Sequence, residues 1–121
     1  MDPNLLGVQR RLTHAFIAEN PVALTLTPRS RVKQPAGGWA WEDAEPRTPQ
    51  TMTLIEPTSW PRPTVTADGV ERSVDFTLLG DWDSVVAVDD WFLHGGATWE
   101  VVEVAYFNGW ETRALVSRRA S

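Results

Sequence analysis

The sequence predicts a mainly β protein: a small antiparallel β-barrel or sandwich with an N-terminal α-helix and a long Pro/Gly-rich loop. Three observations lead there. Asn108-Gly109 separates two alternating runs, 97–107 and 110–118, and Asn-Gly in that setting is the strongest short-range hairpin signal. All nine prolines lie at or before position 63, so the later half lacks the residue that cannot donate to a sheet ladder. Helical periodicity marks one stretch near the N-terminus.

That stretch is expected to form a helix over 3–19. Asp2-Pro3 suits its opening, and Asn20-Pro21 stops it, because the residue before proline disfavours the helical region. Leu5, Val8, Leu12, Ala15 and Phe16 recur at three- and four-residue steps, with Leu6 and Ile17 widening the stripe. Such a stripe needs cover, from the chain's own sheet or from a neighbouring subunit. Leu5, Val8, Leu12 and Phe16 are therefore the candidate inter-subunit face.

Residues 22–27 alternate as a strand. From 28 to 50 the pattern dissolves among Pro28, Pro35, Pro46, Pro49 and Gly37-Gly38, with Val32, Trp39 and Trp41 as its large apolar groups. An aperiodic connection of that length inside a small domain is usually functional or disordered, and two indoles argue against simple disorder. Lys33, Trp39, Trp41, Glu42, Asp43 and Arg47 are the candidate partner- or channel-facing residues. Folded on itself, 33–49 would reach roughly 25 Å at about 3.3 Å per residue.

Strands are expected again at 51–56 and 70–79, with a rigid Pro-rich bend holding Trp60 at 57–63 and a turn at Asp68-Gly69. Gly80-Asp81-Trp82-Asp83 turns the chain, Val85, Val86 and Val88 form a short extended piece, and 91–118 carries the hairpin ribbon. A two-residue type I′ turn at Asn108-Gly109 would pair Phe107 with Trp110, Tyr106 with Glu111, Ala105 with Thr112 and Val104 with Arg113. The same register continues to Val102 opposite Leu115, Val101 opposite Val116 and Glu100 opposite Ser117. Both faces hold apolar residues at the centre, which points to a ribbon covered on both sides. The main sheet is expected over 51–118, all in a single domain 1–121.

Composition narrows the function. The chain has 121 residues, enough to bury roughly 65% of its unfolded surface. It has no cysteine, hence no disulfide, thiol nucleophile or Cys-based zinc site. The start, Met1-Asp2-Pro3-Asn4, has no basic, apolar signal character, and no apolar run approaches the ~18 residues of a membrane span. Synthesis in the cytoplasm is the expectation. A net charge of −5 makes general adhesion to nucleic acid unfavourable. Arg29, Arg31 and Lys33 form the one alternating basic run, which by itself reads as a solvated strand edge.

Catalytic signatures are missing: no Gly-x-Ser-x-Gly, phosphate loop or dinucleotide fingerprint occurs. His14 and His94 have no second ligand at metal spacing, and Asp81, Asp83, Asp89 and Asp90 lack the glycine and terminal glutamate of a calcium loop. The four aspartates read as a solvated turn. No enzyme, metal or cofactor is expected. Of the seven tryptophans, Trp82, Trp91, Trp99 and Trp110 suit packing, whereas Trp39 and Trp41 do not.

Phe16-Ile17-Ala18-Glu19-Asn20-Pro21, the strand at 51–56, Asp89-Asp90-Trp91-Phe92, Trp99-Glu100-Val101-Val102-Glu103-Val104 and Asn108-Gly109-Trp110-Glu111 together resemble the head-to-tail connector proteins of long-tailed actinobacterial phages. Within that group they are similar to the head-closure, or stopper, component of the head–tail joining family. The resemblance spans most of the chain and rests on packing motifs. It implies a small β-barrel with an N-terminal helix, assembled as a sixfold or twelvefold ring in the virion neck. Its implied neighbours are copies of itself, the portal and adaptor on the head side and the tail terminator on the other. A long loop is implied to gate the channel through which phage DNA passes without sequence-specific binding, or to clasp the next ring. Two alternatives stay open: a tail terminator or tail-completion ring protein, and a stand-alone β-barrel binding module for glycan or nucleic acid.

Overall fold

The computed structural model describes residues 3–56, 63–65, 71–104 and 108–119. Helix α1 spans Pro3–Glu19, and the strands are β1 Val22–Leu24, β2 Arg29–Lys33, β3 Trp39–Asp43, β4 Gln50–Ile55, β5 Pro63–Val65, β6 Glu71–Ser73, β7 Phe76–Asp81, β8 Trp91–His94, β9 Ala97–Val104 and β10 Glu111–Arg118. Six of them form one antiparallel sheet in the order β1-β4-β7-β10-β9-β8. The sheet curls until its ends meet. Thr27, just beyond β1, exchanges two backbone hydrogen bonds with Trp91 of β8 at 2.8 and 3.0 Å. The result is a nearly closed barrel with α1 lying over β7 and β4.

Leu24, Leu26, Met52, Leu78, Phe92, Val101, Ala114 and Val116 fill its interior. Alternate residues turn outward, yet Thr53 and Leu79 are buried too, on the side that α1 covers. Leu78 and Leu79 are therefore buried in succession, which period-two patterning does not anticipate. Gly80 is a close-approach position. A β-carbon there would lie 2.5 Å from Ser84 Oγ and 2.6 Å from Met52 Cε. Gly80→Ala is expected to overpack the barrel and cost about 1–3 kcal/mol, read as a lower thermal midpoint.

The helix bounds match the sequence expectation, and the region 70–79 does not. Its residues divide into β6, paired with β5 in a separate ribbon, and β7, which enters the barrel. The break falls at Val74-Asp75. The Asp75 carboxylate accepts the Arg118 N–H at 2.8 Å, while its own N–H donates to Val116 O. Gly80 and Asp81 belong to β7, so the chain turns at Trp82-Asp83. Residues 85–88 form no strand, and β1 joins the main sheet from outside 51–118.

The β9–β10 ribbon keeps its expected register in one half only. Trp99, Glu100 and Val101 face Arg118, Ser117 and Val116, but Glu103 faces Leu115 and Val104 faces Ala114. Val102 is the extra residue of a β-bulge, which turns both Val101 and Val102 into buried surroundings. Asn108 also lacks the positive φ of a type I′ turn; Asp89 alone among the described non-glycine residues has one. The Asn108 side-chain oxygen instead accepts the N–H groups of Trp110 and Glu111 at 3.0 and 3.1 Å. Gly109 alone of the Asn108-Gly109 pair has a positive φ, whereas Gly95 and Gly96, between His94 and its partner Ala97, both do. Asp2, the Pro-rich bend up to Arg62 with Trp60, Asp68-Gly69 and the pairings of 105–107 lie outside the described residues.

Candidate functional site

The excursion from 28 to 50 is folded. Strands β2 and β3 form an antiparallel hairpin that leaves the barrel at the β1–β8 seam. Its tip spans 34–38, with Gln34 N donating to Gly38 O and Gly37 N to Gln34 O, both at 3.0 Å. Two-fold alternation is faint here because five-residue, largely exposed strands with charges on both faces show little contrast between their sides.

A band of polar side chains fastens the hairpin's root. Arg29 donates through Nη2 to Glu100 Oε2 at 2.6 Å and through Nε to Asp89 O at 3.0 Å. Trp91 Nε1 donates to Asp43 Oδ1 at 2.9 Å, and Ala44 N to Pro28 O at 2.8 Å. Arg47 grips Asp90 with two hydrogen bonds of 2.9 and 3.2 Å. Asp90 is buried at 1% exposure and also accepts the Ala87 N–H, so it is no part of a solvated turn. Charge-assisted, forked pairing of this kind holds geometry as well as adding energy. These bonds anchor the hairpin's root to the barrel.

The expected site residues fall into two groups. Lys33, Trp39, Trp41 and Glu42 are exposed on the hairpin, the indoles at 61% and 47%. Asp43 and Arg47 belong to the root, where their charged ends are engaged within the chain. Arg29, Asp90, Trp91 and Glu100 were not among the site residues that the sequence singled out. Nothing in sequence separation links residues 60 to 71 apart; only barrel closure at Thr27 and Trp91 brings them together.

A second uncovered surface lies on α1. Thr13 and Ile17 are buried and Leu6 is half-buried, so that side meets the barrel. Leu5, Val8, Leu12 and Phe16 form a ridge turned roughly a third of the way round the helix from it, and all four are exposed. Below the helix, Arg10 stacks 3.9 Å over the Trp82 ring, and His14 Nδ1 lies 3.1 Å from Asp81 Oδ2. Among the described residues no group of three His, Asp or Glu side chains is placed to hold a metal ion.

Fold and surfaces together define a class: a small, nearly closed antiparallel β-barrel bearing an uncovered apolar helix ridge and a tryptophan-bearing hairpin anchored at its root. Neither a comparison with protein-family models nor one with curated proteins finds a match for the chain.

Proposed function

We propose that this chain is a structural ring component of a phage neck, of the head-closure kind, which closes the DNA-filled head and joins it to the tail. The role is mechanical and asks for no catalytic group or cofactor. One observation carries the reading: a single small barrel presents two separate uncovered surfaces, the ridge Leu5, Val8, Leu12 and Phe16 and the hairpin with Trp39 and Trp41. A ring built head to tail needs unlike patches on each subunit, and two on different parts of the barrel meet that need. Exposed aliphatic and aromatic side chains clustered in this way mark association surfaces more than ordinary surface. In the proposed assembly the barrels form the wall, and the hairpins point into the DNA channel or onto the next ring. Portal or adaptor would lie on the head side and the tail terminator opposite.

The hairpin's open indoles also favour a second reading, a stand-alone binding module. Assembly separates the two. Light scattering on the purified chain mixed with its portal complex is expected to show ring-sized species, and electron microscopy of virions is expected to show a neck ring that accommodates this barrel. A chain that stays monomeric under both conditions, with neck density that rejects the barrel, overturns the proposal.

A further inference from the structure

We infer that one face of the β2–β3 hairpin is a clamp for the end of a DNA strand, with a base held between Trp39 and Trp41 and the flanking phosphates taken by Arg31 and Lys33. The inference deepens the neck reading and rests on it for the choice of DNA as the polymer. The register supplies the argument. Arg29, Arg31 and Lys33 stand directly opposite Asp43, Trp41 and Trp39, and residues opposed in an antiparallel pair share a face. That face therefore interleaves three cations with two indoles. The other face carries Ser30, Val32, Ala40 and Glu42.

The spacing suits a planar guest. Two residues along one strand separate Trp39 and Trp41 by roughly 6.7 Å, enough for one ring stacked between two others. Trp41 is already backed on one side by Arg29, whose guanidinium lies 4.1 Å from the ring centre and is itself held by Glu100. Arg31 sits 5.9 Å from the same ring. The outermost indole, Trp39, has no such backing among the described contacts and is the more exposed. Stacking on aromatic side chains beside cations is how single strands are held without sequence preference.

The chain's net charge of −5 does not cancel this. Lys33 stands four residues beyond Arg29, about 13 Å along the strand. That exceeds the ~8 Å screening length at physiological salt, so a phosphate near the tip responds to local cations more than to the barrel. A planar base next to a phosphate is presented by a single-stranded or frayed DNA end, and not by the middle of a duplex.

The test is anisotropy of a short fluorescein-labelled single strand and of its blunt duplex, titrated with the full chain over a range of salt centred on about 150 mM, where the barrel's charge is screened. The single strand is expected to bind more tightly. Removing Trp39 and Trp41 as Trp39→Ala and Trp41→Ala is expected to weaken binding about five- to 150-fold per indole. Phenylalanine at both positions is expected to restore most of that loss. Arg31→Gln with Lys33→Gln is expected to flatten the dependence of log affinity on log salt by about 1.4. An unchanged thermal midpoint verifies that the exposed substitutions leave the fold intact. No binding by folded protein, equal binding by the alanine variants, or preference for duplex overturns the clamp. So does burial of the hairpin indoles against another protein with no affinity for DNA. Light scattering with the portal complex present keeps the two readings apart: rings without DNA binding sink the clamp alone, and DNA binding by a chain that stays monomeric there, with neck density that rejects the barrel, sinks the neck assignment alone.

Discussion

Arg47→Met is expected to destabilise the fold by about 3–5 kcal/mol, a large part of the 5–15 kcal/mol that a domain of this size has in total. Asp90 is 1% exposed, and both of its carboxylate oxygens receive Arg47 at 2.9 and 3.2 Å. Methionine preserves much of the stem's packing but leaves the buried carboxylate without its guanidinium, holding the backbone N–H of Ala87. Asp90→Ala should cost less, because the Arg47 side chain is 24% exposed and its freed guanidinium can turn to water. In urea unfolding, both variants are expected to lower the midpoint, Arg47→Met by more. The double variant should cost less than the sum of the singles, since the two act through one contact. Two small, additive losses would show that the pair does not hold the seam.

The second large effect is on assembly. Leu12 and Phe16 are 60% and 51% exposed, so Leu12→Asp with Phe16→Asp should leave the isolated barrel within about 1 kcal/mol of its original stability, about 0.5 for each. If the ridge is a subunit contact, each side chain, already about half covered, forfeits about 0.8–1.8 kcal/mol of burial there. Together they weaken each contact roughly 20- to 300-fold, before the cost of burying aspartate is added. Rings should be lost by light scattering while circular dichroism stays unchanged. Retention of rings by the folded double variant would remove the ridge from the interface.

The comparison with Thr13→Val or Ile17→Ala is informative because these residues lie on the barrel side of the same helix. There the effect belongs to folding. Helical periodicity marks which residues share a side, and both sides of α1 are partly apolar. Which one meets the barrel depends on the direction from which the chain enters β1 after Asn20, whose carbonyl accepts Thr53 Oγ1 at 2.9 Å. That is a long-range fact.

The hairpin shows the same division. Two-fold alternation was hidden in β2 and β3 because these strands bury little, and periodicity is legible in proportion to the difference between a strand's two sides. The bulge at Val102 was hidden for another reason. Val101 and Val102 are equivalent in type, so a one-residue slip in register leaves the pattern of apolar residues looking intact. At Asn108 the local signal was real, but the side chain formed its own turn with Trp110 and Glu111, in place of the left-handed backbone expected.

What the sequence determined by itself was local: a helix bounded by Pro3 and the Asn20-Pro21 stop, a proline-free second half able to pair, and two tryptophans in the 28–50 segment that no core would take. These follow from backbone restrictions and short-range patterning, which act within a few residues. Only the tertiary structure decided that Thr27 and Trp91 close the barrel, that Arg29 and Arg47 fasten the hairpin to Glu100 and Asp90, and that the ridge of α1 is left bare. Partners 43 to 71 residues apart meet only when a sheet curls through a definite twist and strand order. No window along the chain contains that angle.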